Sequence, residues 1–265
     1  MNILEQIIKA KRARLLESKR KASLEQIRAQ AIALRAERQP HRLLSMLSKT
    51  DRVNIIAEIK RASPSKGLIR GEVNPAEVAG AYEVGGAAAI SVLTEEDYFR
   101  GSLDDLRAVR EAVSLPLLRK DFIFDEYQVY ESAAAGADAI LLIVAALDDG
   151  NLKRLRTIAA DELRIDALVE VHTAQEMHRA ANCEAKIIGV NNRDLLTFEV
   201  SLETSVRLAP VAPTGAVLIS ESGIESGEDI RRLRSLGYRG FLIGEKLMRA
   251  DKPELVLSEL IGKSE

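Results

Sequence analysis

Six short polar clusters carry the residue types in this chain that can do chemistry. They are Glu58 and Lys60 in IAEIKRASPSKG (56–67), Lys120 in LRKD (118–121), Glu170 in LVEV (168–171), Asn191 in VNNRD (190–194), Glu221 in SESG (220–223), and Gly244-Glu245 in IGEK (243–246). A lysine, with a pKa of about 10.4 in water, is a cation that can donate a hydrogen bond to an oxygen gaining negative charge. Carboxylates beside it in a partly dry pocket shift toward the range useful for proton transfer. Ser222 with Gly223, and Gly244 with the amides after it, offer a hydroxyl and bare backbone N–H groups to an anion. Taken singly, a Lys or Glu at the end of an element is more often a solvated charge, and a Gly there a tight turn. Their succession along one chain points to proton transfer on an anionic molecule.

Each cluster ends or follows a short apolar run. The runs are 55–59, 88–93, 115–119, 139–144, 166–171, 187–190, 216–220 and 240–243. Their starts lie roughly 20 to 33 residues apart, the length of one strand, two loops and a helix. Stretches with helical periodicity fill the gaps at 103–112, 148–160 and 226–236, and Gly-containing turns such as AAAGAD (133–138) and RSLGYRG (234–240) end them. Nearly continuous apolar runs suit strands buried on both faces of a parallel sheet. Eight β-then-α units predict an α/β fold, a (β/α)8 TIM barrel. An open doubly wound sheet fits less well, because no G-x-G-x-x-G turn is present. Residues 2–37, rich in Ala, Leu, Lys, Arg, Glu and Gln without Gly or Pro, predict a helical N-terminal extension. The expected organisation is one barrel domain over 1–265, with an extension at 1–45 and the barrel at 46–265.

Composition narrows the function classes. At 265 residues and 46% apolar content the chain can build a sizeable core, and with no Trp and 4% aromatics that core is aliphatic. A net charge of −2, with both signs dispersed, argues against a general nucleic-acid binder or a polybasic membrane-surface protein. The lone Cys183 excludes an internal disulfide and a cysteine-based metal cluster. The N-terminus MNILEQIIKAKRARLLESKR has scattered charges and no signal-peptide core, and no segment reaches about 18 uninterrupted apolar residues. A cytoplasmic protein is expected, with no nucleic-acid or membrane partner and no fused catalytic domain, and a monomer is favoured.

In such a barrel the chemistry sits at the C-terminal ends of the strands. Glu58 and Lys60, two apart on one strand, then share a face and point into the mouth. Strands seven and eight carry the two Gly-containing clusters, where barrel enzymes often hold a phosphate. Phe99, Phe122, Leu142 and Leu195 fall near the same rim. Scattered hydrophobes are more often core, but gathered above a barrel they form a slot for a flat apolar group.

The segments EIKRASPSKG (58–67), LRKDFIFDEYQVYESAAAGADAILLI (118–143), LVEVHT (168–173), IGVNNRDL (188–195), ISESGI (219–224) and FLIGEKLM (241–248) together closely resemble the indole-3-glycerol-phosphate synthase family of tryptophan biosynthesis. The resemblance runs in register over nearly the whole chain. It implies a lyase without metal or organic cofactor. The implied reaction closes 1-(2-carboxyphenylamino)-1-deoxyribulose 5-phosphate to indole-3-glycerol phosphate with loss of carbon dioxide and water. By motif position it implies Lys120 as the general acid on the ketone oxygen and Lys60 as a substrate contact able to act in dehydration. Glu170 would handle the late proton, with Glu58 beside it; how the acid and base work divides among these four stays open. Asn191 and Glu221 would hold hydroxyls or orient the charged groups, Ser63 would approach the ring carboxylate, and Arg193 would support the loop or the site. Ser222, Gly223, Gly244 and Glu245 match the phosphate-binding positions.

One position departs from the family, which often has a small hydroxyl residue or Ala where GEKLM places Glu245 and Lys246. A carboxylate would repel a phosphate, so Glu245 is expected to offer its backbone N–H while its side chain turns outward. Among rivals, phosphoribosylanthranilate isomerase would require a Cys at the end of strand one, where Lys60 stands. A Schiff-base aldolase would form a covalent adduct, and a non-catalytic sugar-phosphate sensor would not need so many titratable groups.

Overall fold

The computed structural model describes residues 3–262. Eight parallel strands close a barrel: β1 (Asn54–Ile59), β2 (Ala89–Leu93), β3 (Leu117–Lys120), β4 (Ala139–Ile143), β5 (Asp166–Val171), β6 (Ile187–Asn191), β7 (Val217–Glu221) and β8 (Tyr238–Ile243). They lie side by side in chain order, and β8 pairs back onto β1 with Ala57 opposite Ile243. Each connection is a right-length crossover through a helix: α4 (Pro75–Val84), α5 (Leu103–Ala112), α6 (Glu126–Ala134), α7 (Asp149–Thr157), α8 (Ala174–Asn182), α9 (Glu203–Leu208) and α10 (Gly227–Ser235), with α11 (Glu245–Arg249) and α12 (Pro253–Leu260) after β8. Helix α7 runs on as a π-turn over Ile158–Glu162, two residues beyond the expected end at 160. The crossover helices start where side-chain oxygens accept the free N–H groups of the first turn, as at Asn74, Ser102, Asp125, Thr173 and Ser226. Gly136 (φ 93°) and Gly237 (φ 99°) take left-handed backbone in the two turns anticipated for them.

Strand parity sorts the core into two shells. Ile56, Ala89, Leu118, Leu141, Ile143, Leu168, Ile187, Ile219 and Leu242 face inward and fill the barrel. Their neighbours Ile55, Ala57, Ile59, Ile90, Leu142 and Val169 face outward against the helices.

Among the described residues three helices precede β1, the expected single run being broken: α1 (Ile3–Lys21), α2 (Leu24–Ala36) and α3 (Arg42–Leu47). Asn2, where that run was expected to begin, lies outside the described residues. The break falls at Ser23, whose side chain and that of Gln26 form a reciprocal capping box. Helix α1 lies over the C-terminal rim, where buried Lys11 bonds Asp121 (2.8 Å) and Glu96 (2.9 Å), and Lys19 bonds Asp125 (2.8 Å). Helix α3 sits at the opposite end, with Leu43 and Leu47 inserted among the inward-facing residues. Asn54 ties it down through the carbonyls of Leu47 (3.2 Å) and Lys49 (2.9 Å), and Asp166 accepts the N–H of Leu44 (2.9 Å). Among the described residues, no helix is long and apolar enough to cross a membrane.

Candidate active site

Two contiguous clefts open at the C-terminal rim and share Glu58, Lys60, Arg193, Ser222 and Glu245. Inward parity places the functional groups: Glu58 stands above Ile56, Lys120 above Leu118, Glu170 above Leu168, and Glu221 above Ile219. Lys60 continues the parity of Glu58 past the end of β1, and its Nζ lies 2.6 Å from Glu58 Oε1. Lys120 Nζ lies 3.1 Å from Glu170 Oε2 and 3.5 Å from Glu221 Oε2.

Burial alone would strip Lys120 of its proton. The charges of Glu170, Glu221 and Glu58 outweigh that and hold the ammonium well above its ordinary pKa. Burial likewise favours a neutral Glu170, but Lys120, His172 and the Asn191 amide keep its pKa below the ordinary value. Glu221 goes the other way. Burial pushes it up, Glu170 and Glu58 add to the push, and the longer contact with Lys120 does not offset them. One lysine therefore serves two carboxylates, and it holds the nearer, Glu170, in its charged form more firmly than the farther, Glu221. Both Glu221 oxygens are buried without a hydrogen-bond partner, which leaves them available to a bound molecule.

Glycines make room for these carboxylates. A Cβ at Gly189 on β6 would fall 2.0 Å from Glu221 Oε1, and one at Gly244 would fall 2.5 Å from Glu58 Oε1. Gly244 is thus required by the barrel interior as well as by its position before α11.

The larger cleft, about 500 Å³, lies beyond β7 and β8 and is lined by Ser222, Gly223, Gly244, Glu245, Lys66 and Lys246. Ser222 (φ 68°) and Gly223 (φ 77°) turn the backbone through the left-handed region. The Ser222 hydroxyl donates to Asn191 Oδ1 at 2.9 Å, so the loop is braced from β6. Glu245 lines both clefts, but its carboxylate is drawn to Arg249 one turn on (3.1 Å) and lies 3.9 Å from Lys66. Lys246 lies 3.9 Å from Glu225.

The second cleft is apolar on its far side. Phe99 and Phe122 face each other with centroids 6.1 Å apart, and Leu195 and Ser63 line it with them. Arg193 lines both clefts and bonds the Phe198 carbonyl at 3.1 Å, bracing its own loop.

One expected residue is misplaced: Leu142 faces the outer shell, and Leu141 and Ile143 line the cleft in its stead. The run AILLIV offers no polar residue to mark which parity points inward. Every other expected residue lines one cleft or both. Ile3, Leu4 and Ile7 of α1 also line the apolar cleft and carry no sequence signal for it. His172 lies outside both clefts but 3.6 Å from Glu170, and it follows Glu170 by two residues and so repeats its parity. Among the described residues, no group of three or more His, Cys, Asp or Glu is arranged to hold a metal ion.

Several solved structures share the fold at low identity. The N-acetylmannosamine-6-phosphate 2-epimerase from Clostridium perfringens superposes with a TM-score of 0.61 at 16% identity, over 84% of this chain and 96% of its own. The thiamine phosphate pyrophosphorylase from Pyrococcus furiosus gives 0.58 at 16%, over 82% and 95%. At that identity the likeness concerns the fold alone. Sequence relatives are far nearer. The indole-3-glycerol phosphate synthases of Carboxydothermus hydrogenoformans and of Neisseria meningitidis are 47% and 48% identical to this chain, each over 98% of it and 99% of their own length. That of Polaromonas naphthalenivorans is 45% identical over 99% of both. The family model described as Indole-3-glycerol phosphate synthase matches residues 4–260. From its barrel to its rim, the chain belongs to the indole-3-glycerol phosphate synthase family.

Proposed function

We infer that this chain closes 1-(2-carboxyphenylamino)-1-deoxyribulose 5-phosphate to indole-3-glycerol phosphate, losing carbon dioxide and water, as a lyase of tryptophan biosynthesis. The observation that carries the reading is Lys120, a buried ammonium flanked by Glu170 and Glu221, with an apolar slot on one side and a glycine-turned cleft on the other. Membership of the family supports it independently.

The substrate has three parts, and each has a matching environment. Its phosphate suits the backbone around Ser222, Gly223, Gly244 and Glu245, where Lys66 and Lys246 add positive charge. Its aromatic ring suits the slot of Phe99, Phe122 and Leu195, with Leu141 and Ile143 beneath. Ser63 and Arg193 border the slot near the ring carboxylate. Anchoring both ends bends the chain between them, so that the ring carbon meets the ketone; positioning of this kind is worth several kcal/mol in favourable cases.

Lys120 Nζ donates to the ketone oxygen as the ring carbon attacks, and its proton moves onto the forming alkoxide. The bond to the carboxylate then breaks, its electron pair restores the aromatic ring, and carbon dioxide departs. Lys60, backed by Glu58, protonates the hydroxyl, which leaves as water, and Glu170 takes the proton released as the indole forms. Glu221, whose buried oxygens have no hydrogen-bond partner, is free to hold a chain hydroxyl, and Asn191 fixes the loop beside it. A lysine kept cationic this firmly is a poor amine nucleophile, which disfavours a Schiff-base role for Lys120.

The test is to incubate the purified protein with the carboxyphenylamino substrate and follow indoleglycerol phosphate by its fluorescence, with carbon dioxide measured in parallel. Equal amounts of both products are expected. Substrate consumption without the indole product, or adduct trapping by borohydride, would overturn the reading.

A further inference from the structure

His172 stands directly behind the carboxylate assigned the late proton. It follows β5 with the inward parity of Glu170, and its Nε2 lies 3.6 Å from Glu170 Oε1, on the side away from Lys120. That nitrogen is buried and has no hydrogen-bond partner. The other ring nitrogen, Nδ1, faces Glu176 Oε2 at 3.3 Å, and the same oxygen accepts the backbone N–H of His172 at 2.6 Å. Glu176 is itself set by the first turn of α8, where its N–H donates to Thr173 Oγ1. The imidazole is thus clamped from behind and presents Nε2 to Glu170.

The clamp fixes the chemistry. A carboxylate at Nδ1 requires the proton there. A bare Nε2 would then point its lone pair at a second carboxylate, so the stable arrangement carries a proton on both nitrogens. At 3.6 Å this is a charge contact rather than a hydrogen bond. Three carboxylates act on the ring: Glu176 from α8, Glu170 from its own strand and Glu221 from β7. Burial opposes them, yet they hold the imidazole above its ordinary pKa. Lys120, from β3, faces the far oxygen of Glu170, and Asp194, in the loop after β6, also feels the imidazole charge.

We propose that His172 is a positioning residue for the reaction: clamped by Glu176, its imidazolium aims Glu170 and keeps that carboxylate ionised, so that it can accept the late proton. The proposal rests on the reading of Glu170 as that acceptor. His172 lies outside both clefts and makes no contact with substrate in it.

Two variants remove the charge, one with and one without a polar side chain in its place. His172→Gln keeps a polar side chain of similar reach without the charge, and His172→Leu removes both. Single-turnover rates should show the acid limb moved to higher pH by about one unit in both variants, because Glu170 loses a neighbouring cation that held its pKa down. KM should stay within about twofold. The chain has three histidines, so side-chain NMR can follow His172 directly: its titration should be raised in the parent and should fall in Glu170→Gln. An unmoved acid limb in His172→Gln, or a His172 titration indifferent to Glu170→Gln, would overturn the proposal. Should Glu170→Gln retain full turnover, the premise about Glu170 fails instead, which is a distinct result. If His172→Leu does not fold, His172→Gln and the titration decide.

Discussion

Lys120 keeps its proton because carboxylates face it from β5, β7 and β1, so its removal affects charge more than packing. Lys120→Ala should lower turnover by roughly 10²–10⁴-fold, the usual worth of a positioned acid. One of the three carboxylates would take up a proton in its place, so the circular dichroism spectrum should match the parent. Normal ring closure by this variant would remove Lys120 from the acid role. At the anion cleft, Gly223→Asp adds a carboxylate and a Cβ that would fall 2.5 Å from Val200 Cγ1. KM should rise by about tenfold, or ~1.4 kcal/mol of binding, with a smaller change in kcat, as steady-state fluorescence kinetics can check. Residues of this kind were readable in the sequence because a charge at a strand end declares its own parity. Leu142 was misread for the converse reason: within an unbroken apolar run, facing the substrate and facing a helix leave the same letters. His172 carried the parity signal but sat one step beyond the strand end.

Between elements, the least readable feature is the docking of α1 on the rim. Its helicity shows in composition, but its destination depends on Lys11 reaching Asp121, 110 positions away in sequence, and Glu96. No local pattern records such a pairing. The eight strands were legible because each repeats the same local problem, an apolar run followed by a crossover helix. The break between α1 and α2 was also encoded, in Ser23 and Gln26, but inside a stretch of otherwise uniform helix formers. Lys11→Met should loosen α1 and remove part of the apolar wall that Ile3, Leu4 and Ile7 provide. Arg119 and Thr94 would still bond Asp121, so the loss of stability should be about 1–3 kcal/mol rather than that of an orphaned charge. Urea denaturation gives the loss, and a KM raised more than kcat is lowered would place the effect on binding. An unchanged KM would separate α1 from the site.

For the molecule as a whole, Asp121 couples acidity to folding. Burial would raise its pKa, but Lys11 and Arg119, with the Thr94 hydroxyl, bring it down from 3.8 to about 2. A depressed carboxylate stabilises the fold fully above its unfolded pKa and loses that contribution as pH falls through the folded value. Stability should therefore decline by about 2 kcal/mol between pH 4 and pH 2 on this account alone. Denaturation midpoints measured across that window should be flatter in Asp121→Asn, and an equally steep profile would assign the acid sensitivity to other groups. At the same scale, Leu43 and Leu47 fill the base of the barrel, while both clefts open at the opposite, C-terminal rim. On the proposed chemistry, carbon dioxide and water would leave by that rim, past a product whose phosphate the glycine-turned cleft would hold. The expected order of release is then the two small molecules first and the indole last, which product-inhibition kinetics can check.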